Sequence, residues 1–472
     1  MHEQVTKSPQ MVFWPEIEEA GGLGPETNQS RIRESFLSWE DRQRLYHTNI
    51  DYGIAKPNFT FGNPERSEEF KRIFLPFSTL DGFIYENEEI ARSYDAFNVN
   101  RLSSIGSLSL VRYVGSDPEM AQYYDYKFVQ TREFHTLVVA RVMEAIMRNS
   151  GFSEKEIRIG IAAAMLHDIA TPALGDATKS LDSTNLDEEN HWWTMLDEKG
   201  RKYLEKIGAT REAIDDIIHN RGVMGEILDI ADRITYTMID IHSIKSGIIL
   251  HDQEKGYVRD RLDDILEEDP NIGDIFQEVE VNKETGDVYF TNPKRAGIFL
   301  AARAFMFENM YVHPLTQGRD MLLAKTLERF YSPREGEAPL TPRKLRAATD
   351  DGLLFFLQEK LGYDNSYELN FDLYRWTPQH YEKFDSSEEA NKRAQELKNN
   401  PDYVVVGVRQ IKGFNPATDH KVLGEWGRIY EFRDYYPEYA AQIEEAAERT
   451  KGFFVYYDDA EELNPLVARL SA

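Results

Sequence analysis

Several long stretches of the chain carry apolar residues at intervals of three and four, the spacing that places them on one face of a helix. The clearest stretches cover residues 132–149, 157–168, 226–250 and 296–311. Ser153 precedes the second stretch and is followed three residues later by Glu156, a capping-box pair that opens a helix. The pattern therefore predicts a mainly α body.

Strands are predicted in four short regions. Thr285-Gly286-Asp287 supplies turn residues between two short runs and predicts a hairpin. Residues 402–414 and 451–459 are strand-like, and an amphipathic helix over residues 438–450 lies between them. A short strand pair, followed by a helix, is also expected from about Leu75. The body should therefore carry small β-hairpin insertions.

These patterns divide the 472 residues into three parts. Residues 1–70 mix Pro, Gly and charge and are expected to form an extended arm with a short helix near residues 35–46. Residues 71–376 are expected to form the helical body, a bundle with the small hairpins. Residues 377–472 are expected to form a separable C-terminal α+β module.

Composition limits the partners. The 55 basic and 82 acidic residues give a net charge of −27, which argues against extended binding to nucleic-acid backbones or to anionic lipid. Cysteine is absent, so any metal must be held mainly by His and carboxylates. The chain shows no secretory leader and no run of 18 apolar residues, so we expect no membrane span and a cytoplasmic protein.

Metal-ligand residue types recur in the helical body. His135, the adjacent pair His167 and Asp168, and Asp232 fall on or beside predicted helices. Two imidazoles and two carboxylates suit one divalent ion of Mn, Fe, Mg, Co, Ni or Zn, and such an ion can act on a phosphoryl group as a Lewis acid. The alternative is that these are buried polar residues with only structural partners.

The spacing of these residues resembles that of a known family. The gaps of 32 residues from His135 to His167 and 64 from Asp168 to Asp232 match the H…HD…D pattern of the HD-domain phosphohydrolases. Four further segments resemble the branch that hydrolyses deoxynucleoside triphosphates: Asp81-Gly82 with Asn100-Arg101-Leu102, residues 132–135, residues 232–240 and residues 303–313. The resemblance implies an HD-type helical bundle, one divalent metal ion, a deoxynucleotide substrate split into nucleoside and triphosphate, and a homo-oligomer.

The resemblance also implies roles for single residues. Three arginines would contact the triphosphate: Arg132, Arg233 and Arg303. Tyr236 and Asp240 would bound the sugar, and Tyr311 would lie against the sugar or the base. Helical spacing agrees, because Asp232, Tyr236 and Asp240 are four apart and share one face. The alternatives are core packing for the aromatic residues and ordinary ion pairs for the arginines.

The chain departs from the family in the loop after the His-Asp pair. Thr171 and Asp176 stand where the family has histidines, and Ser107 stands in place of a glutamine near the sugar. Thr171 cannot act as a general acid near neutral pH, and Asp176 would repel phosphate unless it is protonated or metal-bound. Asp176 and His191 are the candidate catalytic residues, His191 as proton donor. Its alternative is a surface histidine beside two tryptophans.

Three functions follow. The first is a metal-dependent phosphohydrolase that acts on a deoxynucleoside triphosphate. The second is an HD hydrolase for another phosphoester, such as a nucleoside monophosphate or a cyclic nucleotide, which the altered loop favours. The third is a catalytically degenerate HD body that binds a nucleotide as a sensor.

Overall fold

The structure is a computed structural model. It describes residues 87–106, 131–245, 262, 264–331, 340–364 and 380–462. Several predictions fall outside the described residues, namely the arm over 1–70 with its short helix, the strand pair after Leu75, Asp81-Gly82 and Ser107.

The described chain is mainly α-helical with two small sheets, as predicted. The helices that precede the first strand are α1 (Glu88–Phe97), α2 (Arg132–Asn149), α3 (Glu154–Leu166), α4 (Gly175–Lys179), α5 (Glu188–Met195), α6 (Glu198–Ile207), α7 (Arg211–Ile218) and α8 (Gly222–Lys245). A hairpin of β1 (Val279–Val281) and β2 (Val288–Phe290) follows, and then come α9 (Pro293–Met306), a π-helical turn (Phe307–Tyr311), α10 (Pro314–Tyr331), α11 (Pro342–Ala347) and α12 (Asp350–Leu361).

The remaining described elements belong to the C-terminal region. They are β3 (His380–Phe384), α13 (Ser387–Lys398), β4 (Tyr403–Ile411), β5 (Lys421–Leu423), β6 (Ile429–Glu431), α14 (Phe432–Tyr435), α15 (Pro437–Thr450) and β7 (Gly452–Asp459). The strands at 403–411 and 452–459 and the helix at 437–450 confirm the expected pattern.

Capping residues mark the starts of helices in the body. The bounds of α2 agree with the prediction, and Thr131 caps it by accepting a hydrogen bond from the amide of Phe134. The expected capping box opens α3, which ends at Leu166 so that His167 is its C-cap. The predicted helix over 226–250 begins earlier, at Gly222, and residues beyond Lys245 are outside the described range.

The observed structure differs at both ends from the single helix predicted over residues 296–311. Asn292 caps α9, and Pro293 occupies its first position, where a missing N–H costs no hydrogen bond. At Phe307 the helix widens into a π-turn, in which the amide of Val312 donates to the carbonyl of Phe307. A π-turn inserts one extra residue per turn and so changes which side chains share a face.

The C-terminal region is joined to the body through a shared sheet. The hairpin forms at the predicted turn, but β2 also pairs in parallel with β5, which gives the strand order β1-β2-β5-β6. A second sheet, of order β3-β7-β4, packs against α13. One continuous apolar core contains side chains of both the body and the C-terminal region. The boundary at residue 377 stays a prediction. The pairing of β2 with β5 does not imply that the C-terminal region can be separated from the body.

Within the described ranges, no helix combines the length and the apolar character needed to cross a lipid bilayer.

The capping box gives a stability prediction for the body. Ser153 Oγ accepts a hydrogen bond from the Glu156 amide at 3.3 Å, and the Glu156 carboxylate accepts one from the Ser153 amide at 2.8 Å. We expect Ser153→Ala to lower the free energy of unfolding by about 1 kcal/mol because both bonds are weakened. Urea unfolding monitored by circular dichroism checks this. Ser153→Thr keeps a capping hydroxyl and is the control; equal midpoints for all three proteins would contradict the prediction.

Candidate functional site

Three helices bring a group of metal-ligand side chains together. His135 lies in the first turn of α2, His167 at the end of α3 and Asp232 in the middle of α8. One ligand atom from each lies within 4.8 Å of the others. The Oδ1 atom of Asp232 is 2.9 Å from Nε2 of His135 and 3.8 Å from Nε2 of His167. These three residues could hold a metal ion.

Asp168, the fourth predicted ligand, faces the same group. Its Oδ2 atom lies 3.6 Å from Nε2 of each histidine, and it also accepts a hydrogen bond of 2.9 Å from Arg132 Nη1. Burial would raise the pKa of Asp168, but Arg132 and the two histidines hold it well below its ordinary value. Asp168 is therefore a carboxylate in this buried cluster rather than a neutral acid.

His167 is oriented as a metal ligand would be. Its Nδ1 atom lies 2.6 Å from the carbonyl of Ala164, which places the proton on Nδ1 and leaves the lone pair on Nε2. This Nε2 atom is buried and makes no hydrogen bond in the described structure. Burial lowers the pKa of His167, but Asp168 and Asp232 outweigh that effect and raise it. The unpaired nitrogen beside two carboxylates suits a cation.

The charges around the group also suit a divalent cation. The cluster contains two permanent cations and four carboxylates, namely Arg132, Lys179, Asp168, Asp176, Asp232 and Glu188. Carboxylates therefore outnumber permanent cations in this cluster, which favours a bound cation. The Asp232 side chain is 33% exposed, so the group reaches solvent on one side.

The side chain of Thr171 contacts one of the candidate metal ligands. Its buried hydroxyl donates to Oδ1 of Asp168 at 3.4 Å. Arg101 Nη2 donates to the carbonyls of Ile169 at 3.0 Å and of Thr171 at 2.6 Å, which fixes the backbone after the His-Asp pair. Arg101 belongs to the segment Asn100-Arg101-Leu102 that the sequence singled out.

Asp176 stands at the rim of the cluster. It lies in the first turn of α4, its side chain is 61% exposed, and its Oδ2 atom is 3.8 Å from Arg132 Nη2. Lys179, one turn later on α4, lies 3.5 Å from Asp176 and 2.7 Å from Glu188. Asp176 is thus an accessible carboxylate between two cations.

His191 shares a helix with residues of the cluster. It lies on α5, and its Nε2 atom is buried without a hydrogen-bond partner among the described residues. From the same helix, Glu188 makes the direct contact with Lys179. The structure therefore joins Glu188 to the cluster by contact and leaves His191 as an unpaired neighbour on that helix.

The three predicted phosphate-binding arginines all have protein partners. Arg132 is bound to Asp168, as described above. Arg233 makes a two-pronged ion pair with Asp229, with Nε–Oδ1 and Nη2–Oδ2 distances of 2.9 Å. Arg303 is only 4% exposed, and its Nε donates to the Tyr236 hydroxyl at 2.8 Å. The guanidinium groups of these three arginines are thus already bound to other groups of the protein.

The predicted sugar-binding residues form one group beyond Asp232. The rings of Tyr236 and Tyr311 lie 5.9 Å apart, and the Tyr311 hydroxyl donates to Asp240. Burial raises the pKa of Asp240 to about 7, although the hydrogen bond from Tyr311 opposes the rise. The π-turn carries Tyr311 and so contributes to this arrangement.

Sequence reasoning missed several residues of this region. Lys179 was detectable, because it lies three residues after Asp176 and a short helix places both on one side. Glu188 had no distinguishing signal among the many acidic residues. Asn415 and His420 come from the C-terminal region, and only the tertiary fold brings them towards Arg303.

Comparison with known proteins supports the fold. No protein-family model and no curated protein matches the chain. A hypothetical protein from Aquifex aeolicus matches with a TM-score of 0.55 and 16% identity, over 83% of this chain and 98% of that one. A phosphohydrolase from Bacteroides thetaiotaomicron matches with a TM-score of 0.53 and 14% identity, over 80% and 98%. The chain therefore shares its fold with a solved phosphohydrolase.

The ligand group predicts the metal content. We expect protein purified with a divalent ion to carry about one ion per chain, and His167→Ala to lose at least tenfold in affinity because a ligand is removed. Elemental analysis after dialysis checks this. The control is His219→Ala, because His219 lies on another helix end and bonds to the Asp215 carbonyl. Equal metal content in all three proteins would refute the site.

The raised pKa of Asp240 predicts a pH-dependent stability. In the unfolded chain an aspartate ionises near pH 4, whereas Asp240 in the folded protein ionises near pH 7. Between these values the folded state binds the extra proton, so this group's contribution to stability falls as pH rises and is lost above pH 7. Asp240→Asn cannot ionise and still accepts the hydrogen bond from Tyr311.

We expect the stability advantage of Asp240→Asn over the wild type to grow by roughly 2–3 kcal/mol between pH 5 and pH 8. Urea unfolding of both proteins at the two pH values measures it. A difference that does not change with pH would show that Asp240 ionises normally.

Proposed function

We propose that the chain is a metal-dependent phosphohydrolase of the HD type that acts on a nucleotide. The observation that carries the proposal is the convergence of His135, His167 and Asp232 within 4.8 Å, with Asp168 facing both imidazoles. The fold shared with a solved phosphohydrolase supports it.

These four residues would hold one divalent ion, of Mn, Fe, Mg, Co, Ni or Zn. When bound, the ion supplies Lewis-acid activation of water and of a phosphoryl oxygen. Arg132 holds Asp168 in place through its hydrogen bond, and the carbonyl of Ala164 holds the ring of His167. Both contacts fix ligand orientation before substrate arrives.

The rim residues would handle the phosphoryl group and the protons. Lys179, which is ion-paired with Glu188 at 2.7 Å and lies 3.5 Å from Asp176, would bind a phosphate oxygen by exchanging one of these contacts. The exposed carboxylate of Asp176 would accept a proton from water as it attacks phosphorus. We keep His191 as the proposed proton donor to the leaving oxygen, since its Nε2 atom has no partner among the described residues.

A deoxynucleoside triphosphate, released as nucleoside and triphosphate, is the first proposed substrate. Its support is the resemblance in sequence, together with the group formed by Tyr236 and Asp240, one and two turns along α8 from Asp232, and by Tyr311 of the π-turn. Such a group would contact a sugar and base next to the phosphate. The resemblance also implies a homo-oligomer.

One observation favours a second candidate, a phosphoester with fewer phosphate groups, such as a nucleoside monophosphate or a cyclic nucleotide. Arg132 and Arg233 are ion-paired and Arg303 is buried against Tyr236. To neutralise a triphosphate of charge near −4, at least some of these partners would have to release their arginines. A substrate of lower charge needs fewer such changes.

Product analysis tests the function and separates the two substrates. Purified protein is loaded with each of the six ions and incubated with deoxynucleoside triphosphates, nucleoside monophosphates and cyclic nucleotides. We expect turnover with at least one ion and a loss of 100-fold or more in His167→Ala, with His219→Ala unchanged. Triphosphate as product supports the first candidate, and inorganic phosphate or a linear nucleotide supports the second.

No turnover with any ion and any of these nucleotides would reject the enzyme. Thermal stabilisation by nucleotide without turnover would instead identify a nucleotide-binding sensor, because a ligand that binds the folded state raises its melting temperature.

A further inference from the structure

A loop of the C-terminal region contacts the aromatic end of the candidate site. This loop, residues 413–418, lies between β4 and β5 and is called the tail loop below. Arg303 Nη1 donates to the backbone carbonyl of Asn415 at 2.6 Å, while its Nε donates to Tyr236. Arg303 thus links the tail loop to a residue one turn beyond the metal ligand Asp232.

Aromatic stacking makes a second link. The ring of Phe414 stacks on that of Phe307 at a centroid distance of 4.8 Å and an interplanar angle of 24°. Phe307 lies edge-on to Tyr311 at 4.9 Å and to Tyr236 at 6.2 Å. The guanidinium of Arg303 lies over the same Phe307 ring at 4.6 Å. Phe414 and Arg303 therefore hold Phe307 in one orientation.

The rings differ in accessibility. Phe414 is 8% exposed and stacks on Phe307. Tyr236, Phe307 and Tyr311 are half-buried. The half-buried rings are able to contact a ligand, and Phe414 supports them from behind.

The tail loop is itself rigidly built. Asn415 Oδ1 accepts a hydrogen bond of 2.8 Å from the amide of Ala417, whose φ of 59° lies in the left-handed region. The Thr418 hydroxyl donates to Glu444, and its carbonyl accepts from the amide of Arg433. A left-handed alanine costs roughly 1–2 kcal/mol, so the surrounding contacts must enforce this conformation.

We propose that the tail loop is part of the substrate site and that Phe414 is a positioning residue that sets selectivity for a planar group next to the phosphoryl group. It acts through Phe307, whose orientation decides whether a flat ring fits against Tyr236 and Tyr311. The proposal rests on the proposed phosphohydrolase function and gives the C-terminal region a role in choosing substrate.

The test compares two Phe→Leu variants, which keep apolar volume. Phe414→Leu removes the ring behind Phe307. Phe454→Leu is the matched control, because Phe454 is a buried ring of β7 that packs on Tyr381 and Tyr456 in the other sheet. Metal content and melting temperature are measured first, and both variants should bind metal as the wild type does.

Kinetics are then measured with three probes: the nucleotide that the wild type hydrolyses, p-nitrophenyl phosphate and glycerol 2-phosphate. We expect Phe414→Leu to raise KM about 3- to 10-fold for the two probes that carry a flat ring, with kcat within about twofold. Values for glycerol 2-phosphate should be unchanged. Phe454→Leu should match the wild type on all three. Equal loss on all three probes, or no loss on any, would overturn the proposal.

A binding measurement keeps this test separate from that of the proposed function. If no probe is hydrolysed, the phosphohydrolase function fails, and melting curves are recorded with and without millimolar deoxynucleoside triphosphate. Stabilisation that is reduced in Phe414→Leu and kept in Phe454→Leu would still support the tail loop as part of a nucleotide site. Equal stabilisation in both variants, or none in the wild type, would overturn it.

Discussion

The structure depends on the balance of charge where α2, α3 and α8 meet. Carboxylates are costly to bury unless a cation lies beside them, and Asp168 is almost fully buried. Arg132 compensates it on one side and the imidazoles of His135 and His167 approach it on the other. The remaining negative charge of the cluster is the physical reason to place a divalent ion there.

Charge also limits the choice of substrate. The arginines that the resemblance assigns to phosphate already have partners within the protein. Arg132 is paired with Asp168, Arg233 with Asp229, and Arg303 with Tyr236 and the carbonyl of Asn415. A chain of net charge −27 has no general attraction for anions, so any phosphate must be recognised locally. The ion would provide most of that local positive charge, because Lys179 is already ion-paired.

The sequence predicted elements whose signals are local. The bounds of α2 and the capping box at Ser153 follow from spacing and side chains within a few residues. The ligand residues were indicated by the resemblance of their spacing to the H…HD…D pattern, and the structure brings His135, His167 and Asp232 together. Their roles in catalysis stay predictions.

Features that depend on distant contacts could not be predicted in this way. The π-turn at Phe307 changes the face on which Tyr311 lies, and nothing in the residue pattern signals it. The pairing of β2 with β5 and the bond from Arg303 to Asn415 join segments more than 100 residues apart, so no periodicity could reveal them.

The parallel pairing of β2 with β5 has a consequence for biosynthesis. Strands β5 and β6 leave the ribosome about 130 residues after β2, so the four-stranded sheet cannot be completed before they are synthesised. The helices of the body are free to fold earlier. Closing so long a segment is entropically unfavourable and slow. A nascent chain halted before residue 413 would therefore contain the candidate metal ligands but lack the Phe414 ring that stacks on Phe307.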